Sequence, residues 1–276
     1  MFTLEEVRTQ TFKSRDAWWT VFLVDPLAGR LVVGLANRTA ITPNQITWGA
    51  FLLGLGSAGC FLMGEPLWLV AGALMYHLSF VLDCVDGKIA RLKGTGTVLG
   101  GWLDYVFDRI RVLTCALALM WGQFQYTGEA FYLVLGVLVV FLDMLRYVDA
   151  LQLAKVRRQM RRQLNEAIEE ATGVAPVLSE EPEVDLQQDF RTRFPWYIRV
   201  RDWLRDHRVR AHLVSGIEFQ MAVFIVGPLT GAIVLVTLGA AAMLLVFEAA
   251  IMFKLWLSSR DFTRELVRIR STPVRL

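Results

Sequence analysis

Apolar positions in this chain gather into long unbroken runs rather than alternating or heptad patterns. A run of about 20 such residues spans a bilayer as a helix. Six runs are predicted on that basis, at roughly 45–63, 67–92, 97–122, 129–152, 211–229 and 231–257. Short breaks separate them, at Gly64-Glu65-Pro66, at Gln123–Gly128 and, between the last two, at little more than Gly227-Pro228 and Gly231. Residues 16–39, DAWWTVFLVDPLAGRLVVGLANRT, read differently. They mix Trp18, Trp19, Phe22 and Leu23 with charges and are expected to break at Asp25-Pro26, too interrupted to span. The pattern thus predicts an all-α integral membrane protein with six transmembrane helices and an N-terminal amphipathic helix lying in the interface.

Beyond the fourth run the helical pattern continues through 153-LAKVRRQMRRQLNEAIEEAT-172, basic first and acidic later. The basic portion suits attraction to anionic lipid. A Pro-containing acidic stretch at 173–188 is expected to be a flexible linker, and 194-FPWYIRVRDWLRDHRVR-210 a second interfacial helix. The expected organisation is a juxtamembrane segment at 1–40, a membrane domain at 41–260 that includes a cytoplasmic helix and loop at about 153–210, and a basic tail at 261–276.

Composition agrees with a membrane setting. The chain has 276 residues, 55% of them hydrophobic, and its net charge of +3 is too small to suggest a nucleic-acid partner. Distribution matters more than the sum. The three breaks named above carry no Lys or Arg, whereas basic residues collect at Arg8–Arg15, Lys88–Lys93, 155–163, Arg191–Arg210 and the C-terminal tail. The positive-inside rule then puts both termini and the even-numbered connections in the cytoplasm, the plasma membrane being the expected site. Residues 1–20 lack a continuous apolar h-region, so the spans themselves are expected to direct insertion. Cys60, Cys84 and Cys115 are scattered without metal spacing and read as small buried hydrophobes.

Against this apolar background stands 83-DCVDGKIARLKGTGTVLGGWLDYVFDRI-110. Asp83 and Asp86 lie at i, i+3 on the second span, and Asp104 and Asp108 at i, i+4 on the third, so each pair shares a helix face. A carboxylate inside a membrane costs about 2.5–3.5 kcal/mol on insertion scales, so the set requires compensation. Both pairs lie about 9–15 Å along their helices from the cytoplasmic ends, at 1.5 Å per residue. At that matching depth they can converge on a cation. Oxygen-only donors favour Mg²⁺, Mn²⁺ or Ca²⁺ over zinc. Gly87, Gly94, Gly96, Gly100 and Gly101 allow close approach, and Arg91 is placed to hold a phosphate. Carboxylates for a divalent metal beside a phosphate-seeking arginine point to phosphoryl chemistry.

The spacing Asp-x2-Asp-Gly-x2-Ala-Arg-x8-Gly-x3-Asp-x3-Asp is filled by Asp83, Asp86, Gly87, Ala90, Arg91, Gly100, Asp104 and Asp108. It resembles, without gap or substitution, the signature of the CDP-alcohol phosphotransferase family. That resemblance implies transfer of a substituted phosphoryl group from a CDP-linked lipid donor to an alcohol hydroxyl, with release of CMP. By motif position, Asp83, Asp86 and Asp104, joined by Asp108, would ligand a pair of Mg²⁺ or Mn²⁺ ions. Asp108 would be the general base, and Asp86, Gly87, Ala90, Arg91 and Gly100 would shape the CDP pocket. The element 42-TPNQIT-47 resembles a Pro-Asn-x-x-Thr feature of the same family, which adds Asn44 to the pocket ahead of Thr47; Thr42 and Pro43 equally read as a helix start. The resemblance also implies a homodimer.

Other polar residues within spans have less definite readings. Arg146, flanked by Asp143 and Asp149, and Arg109 are candidates for holding an acceptor phosphate, or else pair with nearby carboxylates. Glu218, Gln220 and Glu248 are expected to face the bundle interior, His77 to be a hydrogen-bonding core residue and Lys254 to snorkel. The portion 100-GGWLDYVFDRI-110 looks like members using inositol phosphate, with glycerol phosphate and other polyols left open. A divalent-cation or proton-coupled transporter is the alternative; it accounts for the aspartates but not for Gly87, Ala90 and Arg91. An Asp-rich prenyltransferase would want a second aspartate motif, which Asp143 and Asp149 do not make.

Overall fold

The computed structural model describes residues 1–172 and 195–271. Every regular element among them is helical: α1 (Leu4–Thr11), α2 (Thr20–Arg38), α3 (Pro43–Leu62), α4 (Pro66–Lys93), α5 (Val98–Thr127), α6 (Phe131–Thr172), α7 (Pro195–Asp206), α8 (Gly216–Thr230) and α9 (Ile233–Ser271). The linker expected at 173–188 lies outside the described residues. An isolated backbone bridge joins Asp16 to Val209.

Helix starts follow local chemistry. Thr42 caps α3 in a reciprocal box with Gln45, and Pro43 occupies the first turn, as the sequence suggested. Thr97 caps α5 by accepting from the Gly100 N–H. Gly94 ends α4 at φ 62°, a left-handed conformation that leaves the chain free to turn into α5 within a few residues. Near the N-terminus, the Thr3–Glu6 box starts α1, and the Thr3 N–H and hydroxyl hold the Glu6 carboxyl below its usual range.

Each of the six expected spans is a helix, α3 to α6 with α8 and α9. Five helices are long and apolar enough to cross a membrane: Thr20–Arg38, Pro43–Leu62, Pro66–Lys93, Phe131–Glu170 and Ile233–Ser271. That set differs from the sequence reading in two ways. First, the helix is not broken at Asp25-Pro26. Residues Thr20–Val24 form a wide π turn in which the Asp25 N–H bonds Thr20 O, and the chain continues as α-helix through Pro26. A π turn absorbs the proline's steric demand and missing donor. Second, α5 and α8 fall outside the set. α5 carries Asp104, Asp108, Arg109 and Arg111, and α8 is a shorter apolar helix with a π turn of its own at Ala222–Val226.

The chain divides into two compact units. The first comprises Met1–Met144 and Leu204–Leu244. Here α3 packs along α4 and α5, while α1, α2 and α8 pack on α4. Its core holds Phe61, Tyr76, Leu119, Met120, Leu135, Phe219 and Phe224, with the Tyr76 and Phe224 rings 4.7 Å apart. Side-chain hydrogen bonds tie the helices: Ser57 to Gly72 O at 2.7 Å, Ser79 to Ala50 O at 2.6 Å and Gln123 to Gly64 O at 2.7 Å. Such bonds serve as interhelical glue where lipid supplies no hydrophobic drive. Leu52, Leu74, Leu117, Val134, Val137 and Phe141 stay exposed, as lipid-facing positions do.

The second unit comprises Leu145–Trp203 and Leu245–Leu276. Met160, Leu164 and Ala167 form a buried stripe on the continuation of α6, Ile251 and Leu257 one on that of α9. The helix expected over 153–172 is present as part of α6, and residues 261–271 of the expected tail are helical too.

Candidate active site

The aspartates occupy the C-terminal half of α4 and the N-terminal half of α5. Asp83 and Asp104 lie within hydrogen-bonding range of one another, and Asp86, Asp104 and Asp108 all act electrostatically on Asp83. The two helix faces do meet. Their side chains are turned onto protein partners. Asp83 takes an Arg111 nitrogen at 3.4 Å, Asp108 takes the other Arg111 nitrogen and an Arg109 nitrogen at 2.8 Å, and Asp86 accepts from the Thr47 hydroxyl at 2.5 Å. Among the described residues, no three His, Cys, Asp or Glu side chains are arranged to hold a metal ion.

Charge balance nevertheless favours a cation. Of the four carboxylates, Asp83 and Asp108 pair with Arg111 and Asp108 with Arg109, which is claimed as well by Asp143 at 2.5 Å. Negative charge exceeds positive in a half-buried setting, and the donors are all oxygen. A hard divalent ion fits that set.

Beside the carboxylates opens a cavity of about 240 Å³. Its wall includes Asn44, Asp86, Gly87, Ala90, Arg91 and Gly100, every residue the sequence put in a CDP pocket, together with Thr47 and Asp104. Gly100 permits this closeness, since a Cβ there would stand 3.0 Å from Asn44 Oδ1. The cavity therefore offers an amide, a guanidinium and two carboxylates within one enclosure.

The acceptor candidates are already engaged. Arg146 pairs with Glu248 at 2.8 Å, not with Asp143 or Asp149 on its own helix. Arg109 bridges Asp108 and Asp143. Gln220 and Glu218 are buried as expected: Gln220 donates to Asp143 at 2.7 Å and accepts from Tyr76, and Glu218 closes a capping box with Ser215. His77 is half-buried with its ring edge-on to Trp19.

Sequence reasoning missed three features. Arg109 and Arg111 flank Asp108 in the sequence, and either was a candidate partner for a neighbouring carboxylate; that Arg111, 1% exposed, is the internal counter-charge of the cluster was not visible. Thr47 holds Asp86, and its position one helical turn after Pro43 was the available signal. Lys88, 4% exposed, pairs with the buried Asp25 at 3.0 Å, and a lysine inside a motif helix always demands such a partner.

Comparison with known proteins agrees with this geometry. Residues 40–170 match the family model described as CDP-alcohol phosphatidyltransferase. A bifunctional IPC transferase and DIPP synthase of Thermococcus kodakarensis is 42% identical over 69 residues, 25% of this chain and 15% of that protein. An archaetidylinositol phosphate synthase of Methanothermobacter thermautotrophicus is 31% identical over 85 residues, 31% of this chain and 42% of that protein. A phosphatidylinositol phosphate synthase of Corynebacterium glutamicum is 33% identical over 89 residues, 32% of this chain and 37% of that protein. The chain spans less than half the length of each of these relatives. The matched segment, just under half of the chain, contains both aspartate pairs and the whole cavity wall, so the similarity to CDP-alcohol phosphatidyltransferases covers the entire candidate site.

Proposed function

We propose that the domain transfers a phosphatidyl group from a CDP-linked lipid, CDP-diacylglycerol, to the hydroxyl of a small polar alcohol. CMP is released, and the reaction belongs to phospholipid biosynthesis at the cytoplasmic side of a membrane. The single observation carrying this reading is the cavity that gathers Asn44, Asp86, Gly87, Ala90, Arg91 and Gly100 against the aspartate cluster. A transporter would have use for the carboxylates but none for that enclosure. Inositol phosphate is the acceptor proposed first, because two of the relatives are named for inositol phosphate products; glycerol phosphate is second.

In this mechanism Asn44 and Arg91 hold the nucleotide and diphosphate, and the glycines keep the wall close to them. Asp83, Asp86 and Asp104, with Asp108 beside them, would hold Mg²⁺ or Mn²⁺, two ions by the family's pattern. When bound, the metal would neutralise the diphosphate and favour departure of CMP. Asp108 takes the proton from the acceptor hydroxyl. The acceptor oxygen then bonds to the phosphorus that carries the diacylglycerol, and the bond from that phosphorus to the CMP oxygen breaks. Arg111 and Arg109 fix the Asp108 carboxylate while this happens.

The direct test supplies the purified chain with CDP-diacylglycerol, inositol phosphate and Mg²⁺ or Mn²⁺, then measures CMP. Release should depend on the metal, stop with chelator and fall to near background in Asp108→Asn. Wild-type turnover by that variant removes Asp108 as the base. Absence of CMP with inositol phosphate, glycerol phosphate, inositol and serine alike overturns the function.

A further inference from the structure

The N-terminal segment, which precedes the matched domain, reaches the cavity wall. Arg91 donates its Nε to the carbonyl of Thr11 at 3.1 Å. Its Nη1 and Nη2 lie 3.5 and 3.9 Å from the place a Gly87 Cβ would occupy, so the guanidinium folds back over Gly87 beside the cavity. One edge of the arginine is thus committed to Thr11.

Residues 11–16 are themselves pinned from both sides. Thr11 is 1% exposed, and the Phe12 ring rests against Gly29 of α2. Lys88 stands over one part of that ring at 5.3 Å and Arg208 at 5.0 Å. Buried Asp25 holds both cations, Lys88 at 3.0 Å and Arg208 at 3.1 Å. Arg208 also donates to the Lys13 carbonyl at 2.9 Å, and the Asp16 backbone exchanges hydrogen bonds of 2.9 Å with Arg208 and Arg210. To make these contacts Arg208 adopts φ 61°, which side-chain-bearing residues seldom do. Lys88 and Arg91 are one helical turn apart on α4, so one strap grips both.

We propose that residues 11–16 are a positioning element of the donor site, holding Arg91 by the Thr11 carbonyl so that its free edge meets the diphosphate of the CDP-linked donor. This rests on the reading of the cavity as the CDP site. A guanidinium held by Nε presents its remaining nitrogens as a planar fork, the geometry that suits a phosphate. Phe12 is the anchor: without its ring, two cation–aromatic contacts are lost and the strap is released from α4.

The test uses full-length Phe12→Ala, with Phe12→Leu as a milder variant that keeps apolar volume. Phe12→Ala should raise the donor KM and the Kd for free CDP about tenfold, the scale of two cation–aromatic contacts. It should leave kcat and acceptor KM within about twofold, the scale of a change confined to ground-state binding. Phe12→Leu should lie between Phe12→Ala and the wild type. Hydrogen exchange of the ligand-free protein over residues 86–93 should rise in Phe12→Ala. Unchanged exchange overturns the strap whatever the ligand. Raised exchange with unchanged CDP affinity overturns its positioning role. If the wild type fails to bind CDP while exchange responds as expected, the contact stands, but the proposed function falls and takes the positioning role with it.

Discussion

Arg111 reaches from α5 to Asp83 on α4 across 3.4 Å, with its side chain only 2% exposed. The same guanidinium serves Asp108 and lies 5.7 Å from the Tyr76 ring centre. Proposed ligand and proposed base are therefore joined by one buried cation. Removing one partner of a buried ionic set costs about 3–5 kcal/mol. Arg111→Met should lower the detergent-solubilised protein's thermal midpoint, and misplacement of Asp83 and Asp108 should reduce CMP release by about 100-fold. Paired melting and turnover assays check this; an active, fully stable Met variant would show that Arg111 is dispensable.

Space for Arg111 comes from α3. A Cβ at Gly54 would stand 2.6 Å from Arg111 Cδ and 2.7 Å from Cγ, whereas a Cβ at Gly59 on the same helix meets nothing within 4 Å. Gly54→Ala should therefore displace the arginine and destabilise by about 1–3 kcal/mol, the usual cost of overpacking. Gly59→Ala should be neutral or slightly stabilising, because alanine is the better helix former. Equal melting temperatures for the two variants would contradict the packing argument.

Thr47 donates to Asp86 at 2.5 Å from the first turns of α3. A hydrogen bond to a charged group contributes about 1.5–3 kcal/mol, so Thr47→Val should raise the metal concentration for half-maximal CMP release by roughly tenfold or more. Thr47→Ser keeps the hydroxyl and should stay near wild type. A metal titration of the three proteins decides it.

How much of this was legible in advance depended on how far apart the cooperating residues lie in sequence. The aspartate pairs were readable because carboxylates at helical spacing inside apolar runs have few explanations. Thr42 and Pro43 announced the start of α3 through purely local chemistry. The continuity of α2 was not readable, because Asp25-Pro26 carries an ordinary break signal and the π turn that accommodates it follows from tertiary packing of Asp25 against Lys88 and Arg208. Arg111 was equally hidden. Its partner Asp108 is a helical neighbour, but its burial depends on the room left by Gly54, a residue of another helix. The partner of Arg146 was hidden for the same reason, since Glu248 lies on a distant helix.

A chain of polar contacts leads from α8 to the proposed base. Gln220 donates to Asp143 at 2.7 Å, and Arg109 donates to both Asp143 at 2.5 Å and Asp108 at 2.8 Å. If Arg109 is a brace for Asp108, loosening Asp143 should act on the chemical step. Asp143→Asn should then lower kcat about tenfold with donor and acceptor KM nearly unchanged, the pattern of an interaction that matters in the transition state. The double variant Asp143→Asn/Gln220→Glu retains a hydrogen bond between the two positions and the net charge, but moves the negative charge away from Arg109. It should stay as slow as Asp143→Asn. Were Arg109 instead an acceptor-phosphate ligand, both variants would shift the acceptor KM and spare kcat, so steady-state kinetics with inositol phosphate as the varied substrate separate the two roles.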